Sequence, residues 1–120
     1  MENVPEQFRT RGYTQPYNRW HWDKLKEKRN QKGQGLLMLD LDSIEVRGKK
    51  IVAIIELRST DTPLNDWQKS IVLQIADSLN VPCFLTFHSE NMKAFKVTNQ
   101  KTNECKFMNE EEYIKFLEEL

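Results

Sequence analysis

The sequence has 120 residues, with 18 Lys and Arg against 18 Asp and Glu, so its formal charge is zero when both histidines are neutral. Hydrophobic residues make up 38% and charged residues 30%, which predicts one small globular domain and excludes a disordered chain. No apolar run approaches the roughly 20 residues that span a bilayer, and MENVPEQFRT contains no hydrophobic signal region, so we expect a cytoplasmic protein that does not enter a membrane.

The charges are distributed unevenly along the chain. Residues 1–35 contain eight Lys and Arg against four acids, whereas residues 109–120 contain five Glu and one Lys. Prolines and a glycine without periodicity predict an irregular basic arm at residues 1–16, ahead of a single domain at residues 17–120. Aromatic residues among the cations suit phosphate contacts and base stacking, although a solvated helix whose tryptophans dock on a sheet is the alternative. The candidate nucleic-acid-binding residues are Arg9, Arg11, Arg19, Trp20, Lys24, Lys26 and, from a later helix, Lys69.

The first predicted elements are a helix and a hairpin. Residues 17–30 have the composition of a helix, which must end before Gly33 and Gly35. The segment GLLMLDLDSIEVRGKKIVAIIELRS then has two β-branched runs around Arg47-Gly48-Lys49. This pattern predicts a hairpin whose second arm, residues 51–57, is central and covered on both faces.

The second half of the chain predicts a helix, three strands and a last helix. Thr62 is the predicted N-cap of the next helix, with Pro63 at its first position. The apolar residues that recur at helical spacing and are predicted to face inward are Leu64, Trp67, Ile71, Ile75 and Leu79. A buried strand is predicted at residues 83–88, and a hairpin at residues 94–98 and 105–108. Asn109 is the predicted cap of a final helix. Its predicted inward residues are Tyr113, Ile114, Phe116, Leu117 and Leu120. The order predicts an α/β fold, with a central mixed β-sheet flanked by helices and a parallel crossover.

Charged residues within the apolar strands mark the candidate site. Asp40 and Asp42 lie two positions apart on one predicted strand, and Glu56 and Arg58 on the next. Placing them among Ile, Val and Leu is costly unless they are paired or hold a cation. A loop at residues 47–49 would place Asp40 opposite Glu56, and one at residues 48–50 would place Asp42 there, whereas a two-residue loop would split the charges between faces. A divalent-cation site and an ion pair within the sheet both remain open.

This arrangement resembles the PD-(D/E)XK nuclease superfamily, a restriction-endonuclease-like fold that archaeal Holliday-junction resolvases share. The resemblance is carried by Asp42, by Glu56-Leu57-Arg58 fourteen positions later and by Trp67-Gln68-Lys69 in the next helix, and it covers residues 17–90. It implies an α-β-β-α-β core followed by a C-terminal hairpin and helix. It also implies DNA as substrate and phosphodiester hydrolysis that depends on Mg²⁺ or Mn²⁺.

The resemblance also implies roles for single residues. Asp42, Glu56 and the Leu57 carbonyl would hold the metal, with Asp40 as an additional carboxylate and Gln68 facing the site. Arg58 stands where the family usually has lysine, and arginine supplies charge and donors but hardly accepts a proton. This departure leaves open a second function, a weak or inactive nuclease-fold module that binds nucleic acid or assembles as a homodimer. We expect a homodimer because related folds often pair, and no nucleotide cofactor because the sequence has no Gly-rich phosphate loop.

Overall fold

The computed structural model describes residues 15–24, Leu39 and residues 41–120, which belong to two units, Met1–Leu39 and Asp40–Leu120. In the first unit, helix α1 spans Gln15–Lys24, so it begins two residues before the predicted helix. The predicted continuation to residue 30 lies outside the described residues. Among the residues that are described, no helix is long and apolar enough to cross a membrane.

The second unit is a five-stranded mixed sheet with two helices, which confirms the coarse α/β class. The strands lie in chain order across the sheet; β2 and β3 are parallel, and the other neighbours are antiparallel. The restriction-endonuclease-like core stays a prediction. The elements are β1 (Ser43–Arg47), β2 (Lys50–Arg58), α2 (Asp66–Leu79), β3 (Cys83–His88), β4 (Ala94–Asn99), β5 (Cys105–Asn109) and α3 (Glu110–Glu118).

Both helices of this unit begin at a capping box. The predicted cap of α2 at Thr62 is wrong, because Asn65 holds that position: its Oδ1 accepts from the Gln68 N–H at 2.9 Å, and Gln68 Oε1 faces the Asn65 N–H at 3.4 Å. Asn109 caps α3 as predicted and makes the same reciprocal contacts with Glu112. Two donors at each helix start are thereby satisfied without water.

The helices cover opposite faces of the sheet. Helix α2 packs against β2 and β3 on one face, called here the α2 face, and α3 packs against β4 and β5. The α2 side of the core is closed by Val72 and Ala76, while Trp67 and Leu79 of the predicted stripe are 41% and 44% exposed. That stripe is therefore wrong in part: Leu64 is buried as predicted, but Val72 and the small Ala76 lie at the centre of the contact, and Trp67 and Leu79 lie along its margin.

Aromatic contacts dominate the α3 side. Phe95 stacks on Tyr113 with ring centroids 4.0 Å apart, and Phe84 meets Phe116 edge to face at 4.9 Å. Ile114, which was predicted to face inward, is instead an exposed residue of α3.

Candidate active site

The register of the β1–β2 hairpin determines which charged residues meet. The turn has two residues, Gly48 and Lys49, between the paired Arg47 and Lys50, and Gly48 adopts a φ of 63°, which favours glycine. By itself, this turn would split the carboxylates between the two faces of the sheet. The register shifts by one residue next to Glu45, however, through a β-bulge. The bulge therefore brings the charges to one face, as an odd-length loop was predicted to do.

The shifted register places Asp42 opposite Glu56. Ser43 and Ile55 form the last pair of the ladder, so Asp42, which was predicted on the strand but lies one residue before β1, comes opposite Glu56. The Asp42 N–H lies 3.5 Å from Glu56 Oε1, and the Leu57 N–H donates to Asp42 Oδ2 at 2.9 Å. Glu56 is 4% exposed whereas Asp42 is exposed. One carboxylate therefore lies within the sheet and the other at its rim.

The position of Glu56 changes its ionisation. Burial, followed by the charge of Asp42 and a hydrogen bond to that side chain, raises the pKa of Glu56 from 4.5 to about 7. The Asp42 N–H and the Arg58 guanidinium oppose the change in part. Near neutral pH, the Glu56 carboxyl is therefore protonated in part of the molecules.

The donor atoms of this pair suit a hard divalent cation. Mg²⁺ prefers oxygen ligands and retains several waters, so one or two carboxylates suffice for its protein ligands. The Leu57 N–H donates to Asp42, and the N–H and C=O of one strand residue point to the same side, so the Leu57 carbonyl lies on the β1 side of β2. Within the described residues, no three His, Cys, Asp or Glu side chains form a metal-binding group. Asp40, the additional predicted carboxylate, lies outside the described residues.

Arg58 and Gln68 lie next to the carboxyl pair. Arg58 follows Glu56 by two positions on β2 and so projects from the same α2 face. Its Nη2 lies 3.5 Å from Gln68 Oε1, the same oxygen that faces the Asn65 N–H of the capping box. The start of α2 thus positions Gln68 beside Arg58. Sequence reasoning missed the part that Asn65 plays, although the Asn65-x-x-Gln68 spacing is a signal for it.

Of the predicted nucleic-acid-binding residues, Lys69 belongs to the second unit, and the others lie on α1 or outside the described residues. Lys69 Nζ donates to Asn103 Oδ1 at 2.9 Å, in the turn between β4 and β5. Trp20 and Lys24 are exposed residues of α1, and Arg19 lies on the same helix. Arg9, Arg11 and Lys26 lie outside the described residues.

Cys83 is a buried neighbour of the pair. Burial and then the charge of Glu56 raise the pKa of its thiol to about 11. At neutral pH it is therefore a protonated core cysteine rather than a nucleophile.

No family model matches the sequence, and comparison with curated proteins and with solved structures also gives no match.

Proposed function

We propose that this protein is a nuclease that hydrolyses phosphodiester bonds of DNA with the help of Mg²⁺ or Mn²⁺. The observation that supports this proposal best is the approach of Asp42 to Glu56, because the bulge places two carboxylates opposite each other at the end of a buried strand. Such proximity raises the free energy of the ionised pair, and a cation would lower it.

Each residue of the site has a distinct task in this proposal. Asp42, Glu56 and the Leu57 carbonyl would hold the cation, which when bound activates water and offsets charge on the phosphodiester. Arg58 donates from the α2 face to a phosphate oxygen as its negative charge grows. Gln68 limits the rotation of Arg58 through the contact between Oε1 and Nη2. A cytoplasmic location and a homodimer belong to the same proposal.

A cleavage assay tests this function. The full chain is incubated with single-stranded, duplex, nicked and four-way-junction DNA in Mg²⁺, Mn²⁺ or EDTA. We expect cleavage with either metal and background with EDTA, and background for Asp42→Asn and Glu56→Gln. The matched control is Glu45→Gln, which makes the same chemical change on β1, where Glu45 accepts from the Ser43 hydroxyl. Cleavage that survives in both site variants would contradict the proposal.

Arg58 favours one alternative, a nuclease-fold module that binds nucleic acid but cleaves weakly or not at all. The guanidinium cannot accept a proton at neutral pH, and its neighbours here are Gln68 and the carboxyl pair. DNA binding by the wild type without metal-dependent cleavage would favour this alternative.

A further inference from the structure

Four side chains form a row across the α2 face, and the row begins at the candidate site. Arg58 of β2 pairs with Phe87 of β3, Phe87 with Lys96 of β4, and Lys96 with Phe107 of β5. Residues directly opposite each other on neighbouring strands project from the same face. Cations and aromatic rings therefore alternate along the row. With strands about 4.8 Å apart, it extends about 14 Å from Arg58 to Phe107.

The outer half of this row is open in the described part of the chain. Helix α2 packs against β2 and β3, and no described helix contacts β4 or β5 on this face. The Phe107 side chain is 77% exposed, and Lys96 Nζ lies 5.9 Å from the centre of its ring. Phe87, Lys96 and Phe107 line one groove of about 430 Å³. Phe107 thus presents its ring to solvent on a sheet face, which is an unusual position for a phenylalanine.

We propose that this row binds an unpaired stretch of nucleic acid, with bases stacked on Phe107 and Phe87 and a phosphate held by Lys96. The inference rests on the proposed function, because it takes the bond to be cleaved to lie at Asp42 and Glu56. Alternating cations and aromatic rings are the chemistry by which proteins hold single strands. Bases within a duplex are already stacked on one another and offer no free face to a phenyl ring. The row therefore favours substrates with single-stranded ends, gaps or flaps.

The lysines at the groove form ion pairs that a phosphate could replace. Lys96 Nζ lies 3.1 Å from both carboxylate oxygens of Asp61, and Lys93 pairs with Glu110 at the rim. The Asp61 side chain is largely exposed, so this pair is weak and open to exchange with another anion. Asp61 therefore competes with the phosphate for Lys96. Removing its charge should raise the affinity for a single strand.

The test is a binding assay in EDTA, where metal-dependent cleavage does not occur. Anisotropy of a fluorescein-labelled oligothymidine of about 12 nucleotides, and of a duplex of equal length, is measured with the full chain over a range of salt. We expect Phe107→Ala to weaken single-strand binding about 5- to 100-fold and Lys96→Gln to lower the salt slope by about 0.7. Asp61→Asn should strengthen binding.

Two control variants lie off the row. Lys106→Gln changes the residue next to Phe107 on the same strand, which alternates to the opposite face. Ile114→Ala removes an exposed apolar side chain of α3. Both should bind oligothymidine like the wild type. Thermal melting of each variant shows whether it is folded. If Phe107→Ala does not fold, Lys96→Gln still tests the inference.

The outcomes separate this inference from the proposed function. Wild-type affinity in Phe107→Ala and Lys96→Gln overturns the inference, as does an equal loss on duplex DNA. A change of oligomeric state in light scattering without a change in affinity also overturns it, because the row is then an interface between copies of the chain. Cleavage that depends on Asp42 and Glu56 would still support the nuclease in these cases. Conversely, row-dependent binding without metal-dependent cleavage supports the inference and overturns the nuclease.

Discussion

Replacing Glu56 by glutamine removes a titrating group and keeps the shape of the side chain. In the folded protein, burial and then Asp42 raise the pKa of this carboxyl from 4.5 to about 7. In the unfolded chain both causes are lost. Between pH 4.5 and about pH 7, the folded state binds more protons than the unfolded state. The free energy of unfolding therefore falls as pH rises through this range. The wild type therefore loses stability toward alkaline pH because Glu56 becomes ionised. In Glu56→Gln the side chain cannot ionise, so this loss does not occur.

The magnitude follows from the two pKa values. A difference of about 2.5 corresponds to at most about 3 kcal/mol of lost stability above pH 7. Solvent around the exposed Asp42 screens part of the repulsion, so we expect about 1–2 kcal/mol. For a domain of this size, 1 kcal/mol changes Tm by about 4–8 °C. Glu56→Gln should thus melt several degrees above the wild type at pH 8 and close to it at pH 4.

The assay is thermal melting by circular dichroism in EDTA, across this pH range. Other groups also titrate, so the informative quantity is the difference in Tm between variant and wild type at each pH. Glu45→Gln is the matched control, and its difference from the wild type should stay nearly constant. The reasoning would be refuted if the Tm of Glu56→Gln exceeded that of the wild type by the same amount at pH 4 and pH 8, or by more at pH 4.

Three further predictions concern the bound cation, Arg58 and the basic residues near the N-terminus. Mg²⁺ or Mn²⁺ should raise Tm of the wild type at pH 8 but not of Asp42→Asn, because the cation offsets the carboxylate repulsion; equal melts with metal and with EDTA would contradict a cation site. Arg58→Ala should abolish most cleavage at nearly unchanged Tm, and Arg58→Lys should keep or raise the rate; a large loss of Tm with no cleavage to lose would mean that Arg58 is a structural partner of Glu56. DNA affinity should fall steeply with salt, and each N-terminal cation that touches a phosphate should lower the salt slope by about one when it is neutralised. The variants are Arg9→Gln, Arg11→Gln, Arg19→Gln and Lys26→Gln, and binding that is indifferent to salt would contradict this role.

Local signals in the sequence were sufficient for most of the second unit. The strand at Cys83–His88 has the predicted bounds, and Asn109 caps α3 because cap and capping partner lie three residues apart. Both features depend on neighbours in the chain. The cap of α2 was harder, because Thr62 and Asn65 both suit an N-cap and only the contacts with Gln68 decide between them.

Pairing between strands could not be predicted in the same way. Asp42 and Glu56 are 14 positions apart in the sequence, so 13 residues lie between them. The two can lie opposite each other only if an odd number of these 13 residues has no partner on the other strand. An odd loop and a two-residue loop with a bulge meet this condition equally well. The row from Arg58 to Phe107 depends on three such registers in succession, including one between strands that α2 separates in sequence.

The bulge also indicates where the chain tolerates a change of length. Glu45 pairs with Ala53 and Val46 with Ile51, so Val52 has no partner on β1. A chain that lacks Val52 would form an uninterrupted ladder from the same turn and would still bring Asp42 opposite Glu56. Natural variants one residue shorter at this position should therefore keep the site, and a search for related chains should allow this shorter spacing between the aspartate and the Glu-x-Arg triplet.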